Sequence, residues 1–346
     1  MQLPSFLFLG FESQGSKRIT RQGPIVVLME VSLKFHAHAP LLLSLGLLTA
    51  AFLAVPKACG QLAGHYIGGA TGLEDGSTAP PGFYGTFFPV VERVDTLKGP
   101  AGATIARPDI NLVANMAAYA VTTHKKILGA QYGLSVIFPV VNTRFTANLF
   151  NASAESAGIS DLYFAPVVLG WEKGNLNYTV NYGFYAPTGS FDPSSSLNPG
   201  LGFWEHQIQA GATYSIGKPK LWNTSFLTTW EISQTLSSAD RKPGPMFTGE
   251  YSFGRRFDKY QMNAGIAGYG YKKLSPDSGS GINPLVAGIT DRSFGIGPEW
   301  KYTNLKWRLG FDFRFEQQFA VQAKTSGNVF FISITYLDLT PPPPKK

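Results

Sequence analysis

The chain has 346 residues, of which only 15% are charged and 14% are aromatic, and it carries 38 glycines. Soluble domains average about 25% charged residues, so this composition argues against an ordinary soluble enzyme. The mean hydropathy is close to zero, which argues against a bundle of membrane-spanning helices. The net charge of +7 is spread along the chain and forms no basic patch, so we expect no nucleic-acid partner.

The N-terminal region contains a predicted export signal. Leu41–Val55 is an uncharged apolar run that would span about 22 Å as a helix, less than the ~30 Å hydrocarbon core of a membrane. Lys34 precedes this run, and the small residues Ala58-Cys59-Gly60 follow it, as in a secretory signal. We therefore predict a cleavable signal peptide at residues 29–60.

The predicted signal fits a translation start at Met29, and residues 1–28 are then an upstream extension. The alternative is a longer leader. Cleavage after Gly60 would remove the single cysteine, Cys59. A lipoprotein signal is the weaker interpretation because Lys57 stands where a small apolar residue is expected.

Beyond the signal, stretches of alternating apolar and polar residues indicate β-strands. The clearest are 174–187, 220–235 and 305–320. Successive side chains of a strand point to opposite faces, so each stretch has an apolar and a polar side. The predicted strands, about twelve in number, are 109–122, 127–139, 142–150, 160–171, 174–187, 203–216, 220–235, 244–257, 259–273, 290–303, 305–320 and 327–338.

The connections between these strands alternate in length. Tight turns are predicted at 173–175, 217–219, 258–259 and 303–304, and longer loops at 188–202, 237–243, 272–289 and 322–327. Aromatic residues recur near strand ends and predict interfacial girdles: Trp171, Tyr185, Trp204, Trp222, Trp300 and Tyr336. Sorted loops and aromatic girdles are typical of outer-membrane barrels.

We therefore predict an all-β fold, a single antiparallel transmembrane β-barrel at residues 109–338. It has about twelve strands, short periplasmic turns and longer extracellular loops. Residues 61–108 are rich in glycine and proline, and they form either a luminal plug or two more strands, which would give fourteen. Residues 339–346 are a proline-rich, solvated tail.

Short motifs follow one another along the chain. They are Pro80-Pro81-Gly82-Phe83-Tyr84, Gly158-Ile159-Ser160-Asp161-Leu162, Tyr185-Ala186-Pro187-Thr188-Gly189-Ser190-Phe191, Gly268-Tyr269-Gly270-Tyr271 and Gly295-Ile296-Gly297-Pro298. By these motifs the chain, from about Gly64 to Tyr336, resembles a bacterial family associated with the meta-pathway of phenol degradation. The resemblance implies an outer-membrane channel for small hydrophobic or aromatic compounds.

Residues that could carry chemistry are sparse. His65, His124 and His206 have no metal-ligand spacing, and the chain has no Gly-x-Ser-x-Gly nucleophile motif. We therefore expect no enzyme activity, no metal and no cofactor. Charges on the polar faces of the predicted strands are candidates for lining the lumen: Glu205, Glu231, Glu250, Arg308, Asp312, Arg314 and Glu316.

One strand predicts which face meets lipid. On 305–320, Trp307, Leu309, Phe311 and Phe313 are assigned outward, and Arg308, Asp312 and Arg314 inward. A charge that faces mid-bilayer lipid costs ~2–4 kcal/mol in a barrel. Replacing Phe311 by arginine should cost about that amount, whereas replacing Arg314 by glutamine should leave folding nearly intact and change permeation.

The sequence favours passive uptake of small hydrophobic or aromatic compounds across the outer membrane, with residues 61–108 gating the path. The partners are then outer-membrane lipid and the solute. The alternative is a barrel without transport activity, either a structural protein or an outer-membrane hydrolase.

Overall fold

The computed structural model describes residues 62–147, 152–193, 195, 197–236 and 238–341. Apart from a short 3-10 helix at Asp258–Tyr260, the regular structure is β. The strands are β1 (Gly82–Lys98), β2 (Thr104–Ala106), β3 (Asp109–Ile127), β4 (Ala130–Ala147), β5 (Ala152–Ile159), β6 (Leu162–Lys173), β7 (Leu176–Ala186), β8 (Glu205–Ile216), β9 (Trp222–Ser233), β10 (Met246–Phe257), β11 (Met262–Lys273), β12 (Arg292–Asn304), β13 (Leu309–Gln322) and β14 (Thr325–Leu339).

The strands form one closed antiparallel barrel. Neighbours in sequence pair with each other, and β14 closes the sheet by pairing with β1 from Gly82↔Leu339 to Leu97↔Thr325. The short strands β2 and β5 pair only with the C-terminal ends of β1 and β4, so twelve strands make the wall. Closure pairs the backbone groups of every wall strand, as a bilayer requires. The predicted fold class is confirmed.

The strand boundaries differ from the prediction in the first half of the chain. The barrel begins at β1, not at residue 109, and the predicted strands 127–139 and 142–150 are the single strand β4. Pro139 does not break β4, because it lies where β4 changes partner, from β6 up to Ile137 to β5 from Val140 onward. A proline lacks an N–H and is tolerated at such a place.

The two rims of the barrel differ in their connections. The short-turn rim has connections at 128–129, 174–175, 217–221, 258–261 and 305–308. The long-loop rim has connections at 99–108, 148–161, 187–204, 234–245, 274–291 and 323–324. The prediction of a long loop at 322–327 is wrong, because Ala323 adopts a φ of +51° in a tight turn. By the usual sorting of lengths, the short-turn rim faces the periplasm.

The outer face of the wall is apolar and the inner face is largely polar. On β13, Phe313 is 44% exposed, whereas its neighbour Arg314 is 2% exposed and faces the interior. Aromatic pairs lie toward the short-turn rim, with Trp171 stacked on Tyr178 at 5.0 Å between ring centroids. Within the described ranges, no helix has the length and apolar character needed to cross a membrane.

Residues 62–81, named the luminal segment here, run through the interior of the barrel. The N–H of Leu62 donates to Asp277 Oδ2 at 2.8 Å near the long-loop rim. The segment ends where β1 starts, at the short-turn rim. The predicted signal peptide and upstream extension, and residues 342–346 of the predicted tail, lie outside the described residues.

Candidate functional site

The luminal segment is held by carboxylates on the inner wall. The N–H of Tyr66 donates to Glu231 Oε1 at 2.8 Å, and its hydroxyl donates to Glu250 Oε2 at 2.6 Å. The hydroxyl of Thr71 also donates to Glu250. Strands β9 and β10 place these glutamates on the inner face because each strand alternates its side chains. The carboxylates thus bind donors of the segment that would otherwise be buried without a partner.

A second group of wall residues binds the middle of the segment. Glu299 Oε2 accepts the N–H of Leu73 at 2.8 Å, and Lys301 Nζ donates to the carbonyl of Leu73 at 2.6 Å. Arg314 donates to the carbonyl of Thr71 and lies 3.5 Å from Glu299 Oε2. Burial of a charge is costly unless the charge is paired and hydrogen bonded. Glu299 is paired with both Arg314 and Lys301 and accepts a backbone N–H, and Arg314 donates to a backbone carbonyl.

Most of the predicted lumen-lining charges belong to this network. Glu205, Glu231, Glu250, Arg314 and Glu316 are all buried and face the interior. Asp312 also faces inward and is partly exposed, with Oδ2 at 3.8 Å from Lys301 Nζ. The structure therefore gathers these six residues along one side of the lumen, where the luminal segment covers them.

Arg308 is the exception, and its predicted place in the lumen is wrong. The turn between β12 and β13 occupies residues 305–308 instead of the predicted 303–304. Asn304 Oδ1 accepts the N–H of Trp307 at 3.0 Å, and Arg308 adopts a φ of +57° that reverses the chain. Its exposed guanidinium therefore reaches Asp338 at 2.9 Å on the outside of the rim.

Glycines allow the luminal segment to lie directly on the wall. A Cβ added at Gly72 would overlap the side chains of Arg314 and Glu299. Gly69 has a φ of +82°, and a Cβ there would overlap Glu316. Any larger residue at these two positions would push the segment away from the network that holds it.

His65 fixes the segment at the long-loop rim through a contact we name the His65 latch. Its Nε2 lies 2.8 Å from Asp161 Oδ2, and its Nδ1 lies 3.0 Å from Glu205 Oε1. The imidazole stacks on Tyr185 at 4.4 Å and meets the edge of Phe203 at 5.2 Å. Tyr185 was predicted in an outer girdle and instead faces the lumen. It does so because it follows the outward Phe184 in the alternation.

Asp161 joins the latch to the loops of the rim. Its Oδ1 accepts the N–H of Gly189 at 2.8 Å, and its Oδ2 accepts the N–H of Leu201 at 2.7 Å. A Cβ at Gly189 or Gly200 would lie 2.9 Å from Asp161 Oδ1. Sequence reasoning missed His65 and Asp161 as site residues. Asp161 stands in one of the motifs quoted above, and that was the available signal.

Two titratable groups of the docked segment, His65 and Asp75, have raised pKa values. Burial lowers the pKa of His65, but hydrogen bonds with Asp161 and Glu205 outweigh it and raise the pKa above 6.5. Burial, together with the nearby carboxylate of Glu250, raises the pKa of Asp75 to about 7. Both groups bind a proton more tightly in the docked segment than in a released one. The docked state of the segment is therefore less stable at higher pH. Asp75 contributes this loss between a pH of about 4 and about 7. His65 contributes it from pH 6.5 up to its raised pKa.

We expect the luminal segment to become more accessible between pH 5 and pH 8. The test is the labelling rate of Ala70→Cys, in a Cys59→Ser background, by an impermeant thiol reagent. Dividing by the rate for the exposed position Leu285→Cys removes the intrinsic pH dependence of the thiol. Each unit of pKa elevation shifts the docking equilibrium about tenfold, and His65→Gln should remove that part of the trend. A ratio that falls with pH would contradict the assignment.

An apolar cavity of about 290 Å³ lies between the luminal segment and the opposite wall. Phe88, Met116, Ile137 and Val141 contribute its apolar side from β1, β3 and β4, and Ile67 contributes from the segment. This inner wall carries the larger of two clusters of buried apolar residues in the described structure, built from β1, β3 and β14. The other cluster is Met246, Tyr269 and Tyr271 on β10 and β11. The lumen therefore has a charged side that holds the segment and an apolar side that leaves space.

A larger vestibule of about 1110 Å³ opens at the short-turn rim. On β7, Asn177 lines the vestibule, Asn181 lines the apolar cavity, and Thr179 lies between them. The Thr78 hydroxyl donates to Thr179 Oγ1 at 3.1 Å at this point. A Cβ added at Gly170 would overlap Thr78, so the wall and the segment touch here. Cavity, constriction at Thr78 and vestibule follow one another along the same side of the lumen.

The described residues offer little to a catalytic or metal site. No group of three or more histidine, cysteine, aspartate or glutamate side chains in the described ranges could hold a metal ion. Both ring nitrogens of His65 are engaged by carboxylates, so neither is left to activate a serine. His206 faces outward, 3.0 Å from Tyr182 Oη, and His124 is exposed on β3.

The closed wall, the apolar outer belt and the sorted loops define an outer-membrane β-barrel protein. The family model described as "Putative MetA-pathway of phenol degradation" matches residues 94–334, and the chain belongs to this family. No curated protein sequence matches it.

The fold is similar to that of the COG4313 outer membrane channel from Pseudomonas putida F1. The TM-score is 0.66 at 14% identity, and the match covers 76% of this chain and 98% of the other. The TodX deltaS2S3 mutant, a monoaromatic hydrocarbon channel, matches with a TM-score of 0.36 and 12% identity over 76% of this chain and 91% of its own. A Pseudomonas aeruginosa FadL homologue matches with a TM-score of 0.34 and 10% identity, over 73% of this chain and 89% of its own. The last two similarities are too weak to carry an argument.

Proposed function

We propose that the protein mediates passive uptake of small hydrophobic or aromatic compounds across the outer membrane. The observation that carries the proposal is the apolar cavity inside a lumen whose remaining wall is mostly polar. Porin-type barrels that pass hydrophilic solutes have polar interiors and need no such wall. The chain belongs to a family whose description refers to phenol degradation, which supports this class of cargo. The role we infer is not enzymatic.

The proposed path runs along the apolar wall. A solute enters beneath the His65 latch, occupies the apolar cavity and leaves through the vestibule. The contact between Thr78 and Thr179 closes the way between the two spaces. A shift of the luminal segment is therefore part of each passage, which assigns the gating role to residues 62–81.

The test compares entry of a radiolabelled small aromatic compound into vesicles with and without the protein. The vesicles need an outer leaflet of lipopolysaccharide, because plain phospholipid lets small aromatic compounds pass unaided. The wild-type protein should accelerate entry. A structural barrel or an enzyme should not, and equal rates in the two preparations would refute the proposal.

Filling the cavity should block the path. Ala114 is buried on β3 and lines the cavity, so Ala114→Phe places a ring where the solute must pass. A filled cavity removes the route, so we expect entry of the aromatic compound to fall to the rate measured in vesicles without the protein. Ala117→Phe, on the lipid side of the same strand, is the matched control and should leave entry unchanged.

A further inference from the structure

Two cations lie side by side on the outer face of the wall at the long-loop rim. Lys272 is the last outward residue of β11, and Arg292 is the first outward residue of β12. The two residues are direct partners in the register of the sheet, which places their Cβ atoms about 4.5–5.5 Å apart. Both are exposed, whereas the next residue, Lys273, points inward and is buried. The sheet therefore holds two like charges against each other on its outer side.

This pair has no counter-charge in the described part of the chain. Directly opposed like charges destabilise a sheet unless another group compensates them. No hydrogen bond or ion pair links Lys272 or Arg292 to another side chain among the described residues. The acid next to them in sequence, Asp291, is buried on the inner side of the wall. On β4, by contrast, the exposed Arg144 lies 3.2 Å from Glu155. An anion from outside the chain can supply the missing charge.

The height of the pair matches the border of the hydrocarbon layer. Arg292 and Tyr302 lie on the same outer face of β12, and the strand between them is about 33 Å long. At the usual tilt of ~35–45° this length gives a height of roughly 25 Å, the thickness of the apolar band of such barrels. Tyr302 stacks on Trp300 at 6.1 Å near the short-turn rim. Arg292 therefore lies at the opposite border, in the outer leaflet.

Lipopolysaccharide is the anion that fits this position. It is the lipid of the outer leaflet, and its sugar headgroup carries phosphates just above the acyl chains. Arginine binds phosphate through two parallel hydrogen bonds, and lysine adds a point charge beside it. Directly below the pair, the rings of Phe294 and Phe319 contact each other at 5.8 Å and offer an apolar surface to the acyl chains. Phospholipid headgroups of the inner leaflet lie at the short-turn rim and cannot reach these cations.

We propose that Lys272 and Arg292 form a binding site for a phosphate of lipopolysaccharide on the outer surface of the barrel. One phosphate between the two cations replaces their repulsion with two charge-assisted contacts. The site is separate from the lumen, so it does not depend on which compound the protein carries. It also assigns a reason to a like-charged pair that weakens the sheet when no lipid is bound.

The test is unfolding of the full-length protein by denaturant in two kinds of vesicle. One contains phosphatidylcholine alone, and the other also contains bisphosphorylated lipid A, the membrane anchor of lipopolysaccharide. In phosphatidylcholine, Lys272→Gln should leave stability equal or higher, because it removes repulsion. With lipid A present, the same substitution should lower the ratio of folded to unfolded protein roughly fivefold, the effect of one cation at an anionic surface. Lys272→Arg should behave like the wild type.

A matched control comes from the same rim. Arg93 is exposed on the outer face of β1, and its partners in the register are Asn111 and Asn328, so it has no second cation beside it. Arg93→Gln removes one charge, as Lys272→Gln does, and should lose less stability with lipid A. An equal loss would show a general attraction between cations and an anionic surface, and the site would be refuted.

Other outcomes would also overturn the proposal. A loss of stability by Lys272→Gln that is the same in both vesicles would show a structural role without lipid. If phosphatidylglycerol at equal charge replaced lipid A fully, any anionic lipid would suffice. If inorganic phosphate stabilised the wild type as much as lipid A does, the site would be one for free phosphate. Resistance of the folded band to heating in detergent shows that each variant still forms the barrel.

Discussion

Removal of residues 62–78 is expected to raise the permeation of small hydrophilic solutes roughly 10- to 1000-fold. The docked segment occupies the charged side of the lumen, and a minor open state of a protein is typically ~0.1–10% populated. Deletion makes the open state permanent, and water then hydrates the wall charges that the segment covered. The deletion stops at residue 78 because Tyr84 Oη donates to the carbonyl of Pro80 at 2.5 Å, which supports the start of β1. Single-channel conductance in planar bilayers measures the effect.

A point variant separates loss of the segment from loss of its docking. Gly72→Val keeps the chain length and forces the segment away from Arg314 and Glu299, so conductance should rise by a smaller factor. Gly310→Ala is the matched control, because its Cβ would lie 3.7 Å from Thr335 in ordinary contact. Unchanged conductance after the deletion would show that the segment does not occlude the lumen.

The sequence predicts the second half of the barrel better than the first, because the polarity of the inner face differs between the two halves. On β9, apolar Phe226 and Trp230 alternate with polar Ser225 and Glu231, because one face meets lipid and the other meets the charged side of the lumen. On β1 the inner face is mostly apolar as well, although Glu92 also points inward. Val90 and Val94 point inward and Phe87 outward, so no alternation marks the strand.

The candidate site could be predicted only in part. Glu231, Glu250 and Arg314 are recognisable as inward charges, since none could face lipid. Their partners are not, because the luminal segment reaches them from more than a hundred residues away, as in the contact of Tyr66 with Glu250 at a separation of 184. The sequence predicts charges that line a water-filled lumen. The structure instead shows charges that bind a peptide segment.

This placement changes what we expect of one substitution. The sequence predicts that Arg314→Gln leaves folding nearly intact, because a charge in a wet lumen carries little structural weight. Arg314 instead lies between Glu299 and Glu316, each 3.5 Å away, and donates to the segment. The variant would leave Glu316 without its cation and Glu299 with Lys301 alone, so loosened docking accompanies any change in permeation.

The second large effect is expected from Phe313→Arg, which should weaken folding into lipid by ~2–4 kcal/mol. Phe313 faces outward and is 44% exposed, toward the middle of β13. A guanidinium there would lie in hydrocarbon without a partner. Phe311 also faces outward but is the third residue of the strand and lies nearer the short-turn rim. Because the penalty falls to ~0–1 kcal/mol at the interface, Phe311→Arg should cost less than the sequence alone predicts.

The depth dependence provides the control for this prediction. Reversible unfolding in denaturant, measured in phospholipid vesicles, should rank the variants Phe313→Arg, Phe311→Arg and wild type in order of increasing stability. Phe313→Leu should stay close to the wild type, because it keeps an apolar side chain toward lipid. If Phe313→Arg unfolded like Phe313→Leu, the outer face of β13 would not be in contact with the hydrocarbon core. The assignment of inward and outward faces on this strand would then be wrong, and with it the placement of Arg314 beside the luminal segment.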